Sequence, residues 1–219
     1  MFDLALQKGP LVPYLPTLSG QNIALVAVFA GLIAASTLPP EFSLGPAVPI
    51  SLQTLAVVLA GLVLGAWRGF AATALYVLVG LAGAPIFANA GAGWATFVGP
   101  TGGYIWAFPL AAFVVGWSAE KVRARASGDA TFPGLLGAGL ISVPVIYAIG
   151  VPWLAHVLDV PIFTPATEGG GTAAAWGMAP FVTGDVIKVF VAAGVATAIH
   201  RAFPQLLSGG EPFFRSTSA

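Results

Sequence analysis

The chain has no cysteine in 219 residues, only two histidines, and charged side chains make up just 7 % of it. No cysteine means no disulfide, no thiolate metal site and no cysteine nucleophile. His156 and His200 lie in different segments, at no metal-ligand spacing, so no structural zinc site and no cofactor are expected. Eight Lys and Arg offset eight Asp and Glu, and the basic residues are scattered apart from one short run. No basic surface of the kind nucleic acid requires can be assembled from them.

What fills the sequence instead is apolar: 58 % of residues are hydrophobic, and the mean hydropathy is +0.92. Such values lie outside the soluble globular range and predict an integral membrane protein surrounded by lipid. A single all-α membrane domain covering 1–219 is expected, with six transmembrane helices at 22–38, 50–66, 70–88, 103–120, 134–158 and 178–200. Residues 1–21 form a short proline-containing leader, and 201–219 a polar tail. Ala34-Ala35-Ser36 superficially resembles a signal cleavage region, but the preceding prolines and lone Lys8 do not make a basic leader, so the first span is expected to be retained. Trp67-Arg68-Gly69 is assigned to a turn between the second and third spans, and Pro144 and Pro152 should kink or break the fifth.

Six spans place both termini on one side. Lys8, Arg68, Lys121, Arg123, Arg125, Arg201 and Arg215 all fall on that side, and the three opposite loops hold no Lys or Arg. By the positive-inside rule both termini are cytoplasmic, which predicts a multi-pass protein of the cell inner (plasma) membrane. The glycine-rich stretch between the third and fourth spans then faces outward, together with the loop at 159–176. Glycine lets backbone approach a ligand closely, so a re-entrant or lid-like loop is expected there, with a flexible connector as the plainer alternative.

Two charges interrupt the last span. Asp185 and Lys188 stand three residues apart, on one helix face. A charge facing lipid near mid-helix costs roughly 2.5–3.5 kcal/mol, so the pair should face the bundle interior, a partner or a water-filled cavity. With Asn89, Trp94 and Trp176 it can converge on a pocket open to the outside. The plain reading is an ion pair that fixes helix packing. The functional reading is a small ligand with amide-like N–H donors for the carboxylate, an apolar body and an acidic end for the ammonium. In the first span, Ala30-x-x-x-Ala34 and Gly31-x-x-x-Ala35 leave small-residue stripes where another helix can approach, either within the bundle or on a partner.

Catalysis has less support. Gly-x-Ser-x-Gly, His-Glu-x-x-His and paired intramembrane carboxylates are all missing. Gly99-Pro100-Thr101-Gly102-Gly103 lacks the Lys-Ser/Thr ending of a phosphate-binding loop, so the chain is not expected to hydrolyse ATP unaided. No internal repeat is visible, which argues against a carrier built from inverted halves.

Val48-Pro49-Ile50-Ser51-Leu52-Gln53-Thr54, Gly83-Ala84-Pro85-Ile86-Phe87-Ala88, Gly99-Pro100-Thr101-Gly102-Gly103-Tyr104 and Gly184-Asp185-x-x-Lys188 stand in this order around a small-residue-rich second span. In that order and spacing the chain resembles the BioY-type substrate-binding subunits (S components) of energy-coupling-factor biotin transporters, over about 24–203. The resemblance implies a six-helix protein, not an enzyme, that binds biotin from outside. It also implies a transmembrane coupling protein and ABC-type ATPase subunits as partners. It makes Asp185, Lys188 and Asn89 ligand-contacting residues, with Asp185 and Asn89 on the ureido ring and Lys188 on a polar group or the carboxylate. Tyr104 and Trp94 become wall positions, and Ala30 and Ala34 the docking patch for the coupling protein. Homo-oligomerisation is left open.

Two other classes stay in view. A channel or proton-coupled carrier with Asp185 as relay predicts flux that depends on a pH gradient and not on ATPase partners. A small membrane enzyme acting on a lipid or prenyl substrate would need a nucleophile or metal set that the sequence does not display. Within the first class, another vitamin could replace biotin.

Overall fold

The computed structural model describes residues 20–38, 42–43, 49–125, 131–164 and 171–203. Most of the expected leader and nearly all of the expected tail lie outside the described residues. The elements are α1 (Gly20–Ala35), β1 (Phe42–Ser43), β2 (Pro49–Ile50), α2 (Gln53–Leu64), α3 (Ala66–Leu81), α4 (Gly93–Val98), α5 (Gly102–Arg125), α6 (Phe132–Leu140), α7 (Ser142–Leu158), α8 (Ala173–Gly177) and α9 (Val182–Ala202). Among the described residues the fold is all-helical apart from a ribbon of two two-residue strands, in which Phe42 pairs with Ile50 and Ser43 with Pro49. Gly102–Arg125, Phe132–Leu158 and Ala173–Ala202 are each long and apolar enough to cross a bilayer, and α1, α2 and α3 are shorter apolar helices.

The break between the second and third spans is earlier than the sequence suggests. Trp67, Arg68 and Gly69 lie in the first turn of α3, and the chain turns at Gly65 instead. Gly65 has φ +82°, a conformation glycine adopts at no steric cost, and a side chain there would meet the Glu120 carboxylate. Two charged side chains finish the corner. Glu120 Oε1 accepts from the Ala66 N–H at 2.8 Å, and Arg68 Nε donates to the Leu64 carbonyl at 2.9 Å. Each takes a backbone group that a helix end would leave unpaired, so the two charged side chains work as caps.

The third span also ends early, at Leu81. The stretch beyond it holds a short 3-10 turn at Ala88–Ala90 and then α4, so the glycine-rich loop is folded. The fifth span breaks at Ile141, between α6 and α7. Pro144 explains the position: it has no N–H for the Leu140 carbonyl, and its ring crowds that carbonyl, so α7 starts afresh with Pro144 in its first turn.

α5 is the central helix, packed on α7, α3 and α2, while α9 lies against α2 and α6. One core cluster gathers Tyr76, Phe87, Tyr104, Phe108, Ile146 and Phe181; the other gathers Leu62, Leu64, Val115, Leu135 and Val189. Side chains such as Val28, Leu78, Leu110, Trp117, Ile187 and Phe190 point outward. An apolar perimeter around buried Arg68, Asp185 and His200 inverts the soluble pattern and suits a hydrocarbon surround.

On α1 the structure separates the two small-residue stripes. Ala30 is buried in the first core cluster, with Ala34 packed against it. Ala27, Gly31 and Ala35 are exposed, and the space over Gly31 is open. At 100° per residue, positions 30 and 33 turn inward and 27, 31 and 35 outward. The expected docking pair Ala30 and Ala34 therefore faces the protein's own core.

Candidate functional site

The first turn of α9 sits beside the first turn of α2, and α7 closes the third side. Between them, α5 and the two ends of the glycine-rich loop lies a cavity. Ile105, Phe108, Ile146 and Phe181 give it apolar walls; Ser51, Gln53, Thr54, Thr101, Tyr104, Tyr147, Asp185 and Lys188 add polar atoms.

Asp185 is the hub of these polar groups. It is 8 % exposed and lies in the first turn of α9, where the positive end of the helix dipole favours a carboxylate. Its Oδ1 accepts from Thr54 Oγ1 at 2.9 Å and from Lys188 Nζ at 3.0 Å; its Oδ2 accepts from Tyr147 Oη at 2.5 Å. Lys188 Nζ also donates to Thr54 Oγ1 at 3.2 Å, closing a ring of three side chains. The pair is internally neutral, which is how two charges can be held in an apolar bundle. A carboxylate offers about four acceptor positions, so one more donor can be taken on Oδ2.

The other expected residues divide. Tyr104 lines the cavity, held by the bond its Oη donates to the Gly177 carbonyl at 2.9 Å and by packing over Gly150, where a side chain would strike its ring. Asn89 is exposed, with φ +55°, and follows directly on the cavity residue Ala88. Trp94 is 63 % exposed, leans on Phe97 and is not among the cavity-lining residues. Sequence reasoning passed over Thr54, Gln53 and Tyr147. Each is a hydrogen-bonding side chain within or at the head of an apolar span, and that pattern is the signal that could have found them. Among the described residues no group of three or more His, Cys, Asp or Glu could hold a metal ion.

The profile of the BioY family matches residues 12–205. A biotin transporter BioY of Rhodobacter capsulatus is 38 % identical over 194 residues, covering 85 % of this chain and 97 % of the relative. One from Thermotoga maritima is 40 % identical over 159 residues, covering 72 % and 83 %, and a probable biotin transporter BioY of Pyrococcus horikoshii is 36 % identical, covering 84 % and 98 %. Among solved structures, the S-component for biotin from an ECF-type ABC transporter superposes with a TM-score of 0.73 at 23 % identity, covering 83 % of this chain and 91 % of the other, a likeness of fold. With the family profile spanning nearly the whole described region and transporter relatives matched almost end to end, this chain is a membrane transport protein, not an enzyme, and belongs to the BioY family.

Proposed function

We propose that this chain is the biotin-binding subunit of an energy-coupling-factor uptake system in the cell inner (plasma) membrane. It takes biotin from outside into the cavity between α2, α7 and α9 and delivers it inward with a transmembrane coupling protein and ABC-type ATPases. The observation that carries this reading is the Asp185–Lys188–Thr54 ring set into otherwise apolar walls. Biotin has matching parts: a ureido group with N–H donors and a carbonyl, an apolar bicycle, and a carboxylate on an alkyl chain. Asp185 receives a ureido N–H on Oδ2. Lys188 has three hydrogens and uses two on Asp185 and Thr54, so the third serves a ligand acceptor. Asn89, next to Ala88, contributes from the loop, Tyr104 serves as a wall, and Trp94 is left to the protein's outer rim.

Six spans with both termini cytoplasmic accord with the basic residues, all but Lys188 falling on one side. The coupling protein docks on the exposed face of α1, at Ala27, Gly31 and Ala35, where the backbone is accessible between Val28 and Leu32. Uptake of labelled biotin by cells carrying this chain with a coupling protein and ATPases tests the proposal. Accumulation should require ATPase activity, whereas uptake driven by a pH gradient alone, in the absence of the partners, would favour a proton-coupled carrier with Asp185 as relay.

A further inference from the structure

Gln53 is buried to 5 % exposure at the start of α2, yet it is one of the cavity-lining residues. Its carboxamide is oriented by a chain of hydrogen bonds that has only one consistent reading. The Ile86 carbonyl can only accept, so the bond of 3.0 Å between it and Tyr76 Oη consumes the tyrosine proton. Tyr76 must therefore accept from Gln53, which puts Nε2 and not Oε1 on the tyrosine. Oε1 in turn accepts from Ser51 Oγ at 2.9 Å. Each end of the amide thus has one partner and one capacity left: a hydrogen on Nε2 and a lone pair on Oε1. Because Gln53 is also a cavity-lining residue, a ligand with a donor and an acceptor side by side can use both.

We infer that Gln53 is a specificity-determining residue that reads one edge of the ureido group, donating Nε2–H to its carbonyl and accepting one of its N–H groups on Oε1. This rests on the biotin reading above and deepens it. It also accounts for the second ureido N–H, because Asp185 has one acceptor position left and cannot serve both. Tyr76 is fully buried, packs edge-on against Phe87 and is not a cavity-lining residue. It is a positioning residue: it fixes which way the amide faces and ties that choice to Ile86, at the root of the glycine-rich loop.

The test is titration of the purified full chain with biotin and with its 2-imino analogue, in which the exocyclic carbonyl acceptor becomes an N–H donor. Gln53→Glu, read against the uncharged Tyr76→Phe because its added negative charge itself attracts the protonated imino analogue, exchanges the donor for an acceptor. It should weaken biotin binding about tenfold or more and shift the ratio of the two affinities toward the imino analogue. Tyr76→Phe keeps the ring, frees the amide to turn, and should move the same ratio in the same direction by a smaller factor. A ratio within about twofold of the unmodified protein in both variants overturns the inference even though biotin binds. Should Gln53→Glu fail to fold, the ratio in Tyr76→Phe decides alone. Absence of saturable biotin binding by the unmodified chain would overturn both this inference and the reading beneath it.

Discussion

Asp185→Asn is the perturbation whose consequences the structure constrains most tightly. The carboxylate accepts three hydrogen bonds, two of them on Oδ1, and is the ion-pair partner of a lysine whose side chain is only 13 % exposed. Asparagine keeps the shape but turns one acceptor oxygen into a donor, so either Tyr147 or Thr54 and Lys188 must face an N–H. It also strands the ammonium. Removing one partner of a buried pair costs about 3–5 kcal/mol, and a lost hydrogen bond to a charged group about 1.5–3 kcal/mol. Some of this falls on folding and some on binding; if 1.4 kcal/mol reaches the complex, affinity falls about tenfold. Isothermal titration with biotin on Asp185→Asn, Lys188→Met and the double variant separates the shares. Asp185→Asn should bind at least about tenfold more weakly, and the double variant should fall short of the sum of the singles, because the stranded charge is gone. Unchanged affinity in Asp185→Asn would remove the carboxylate from the site.

Three further predictions concern other parts of the molecule. Gly31→Trp on the exposed face of α1 should abolish co-purification with the coupling protein while leaving biotin affinity intact, whereas Ala30→Trp should lower the melting temperature, because it forces an indole into the core. The assignment of docking to Gly31 fails if the two variants behave alike. Gly65→Ala meets both a positive φ and the Glu120 carboxylate, and should destabilise by about 1–3 kcal/mol, seen as a lower midpoint in thermal unfolding in detergent. Trp94→Ala removes an exposed ring outside the cavity and should leave biotin affinity within about threefold; a larger loss would mean that the loop brings Trp94 onto the ligand.

The helices were legible from hydropathy and from the placement of charge, since an apolar run can satisfy its backbone only as a helix. Asp185 and Lys188 stood out for the same reason: a charge in such a run needs an interior partner. The corner at Gly65 was hidden because Trp67-Arg68-Gly69 looks like a turn in sequence. The choice depended on Glu120 and Arg68, distant in sequence, supplying the caps. The stripes on α1 were ambiguous because small residues occupy both of its faces, and only packing decided that Ala30 points inward and Gly31 outward. Thr54, Gln53 and Tyr147 carry no formal charge and do not interrupt the hydropathy pattern. Their part emerged only when α2 and α7 placed them against Asp185 and Tyr76. Trp94 stands exposed and outside the cavity lining, a placement that its nearness in sequence to the glycine-rich loop does not reveal.

The central claim is that this chain by itself holds the biotin site. Equilibrium binding of labelled biotin to the purified, detergent-solubilised chain, with no coupling protein or ATPase present, tests it most directly. The account predicts saturable tight binding at one site per chain. Folded, monodisperse protein that binds no biotin would contradict it.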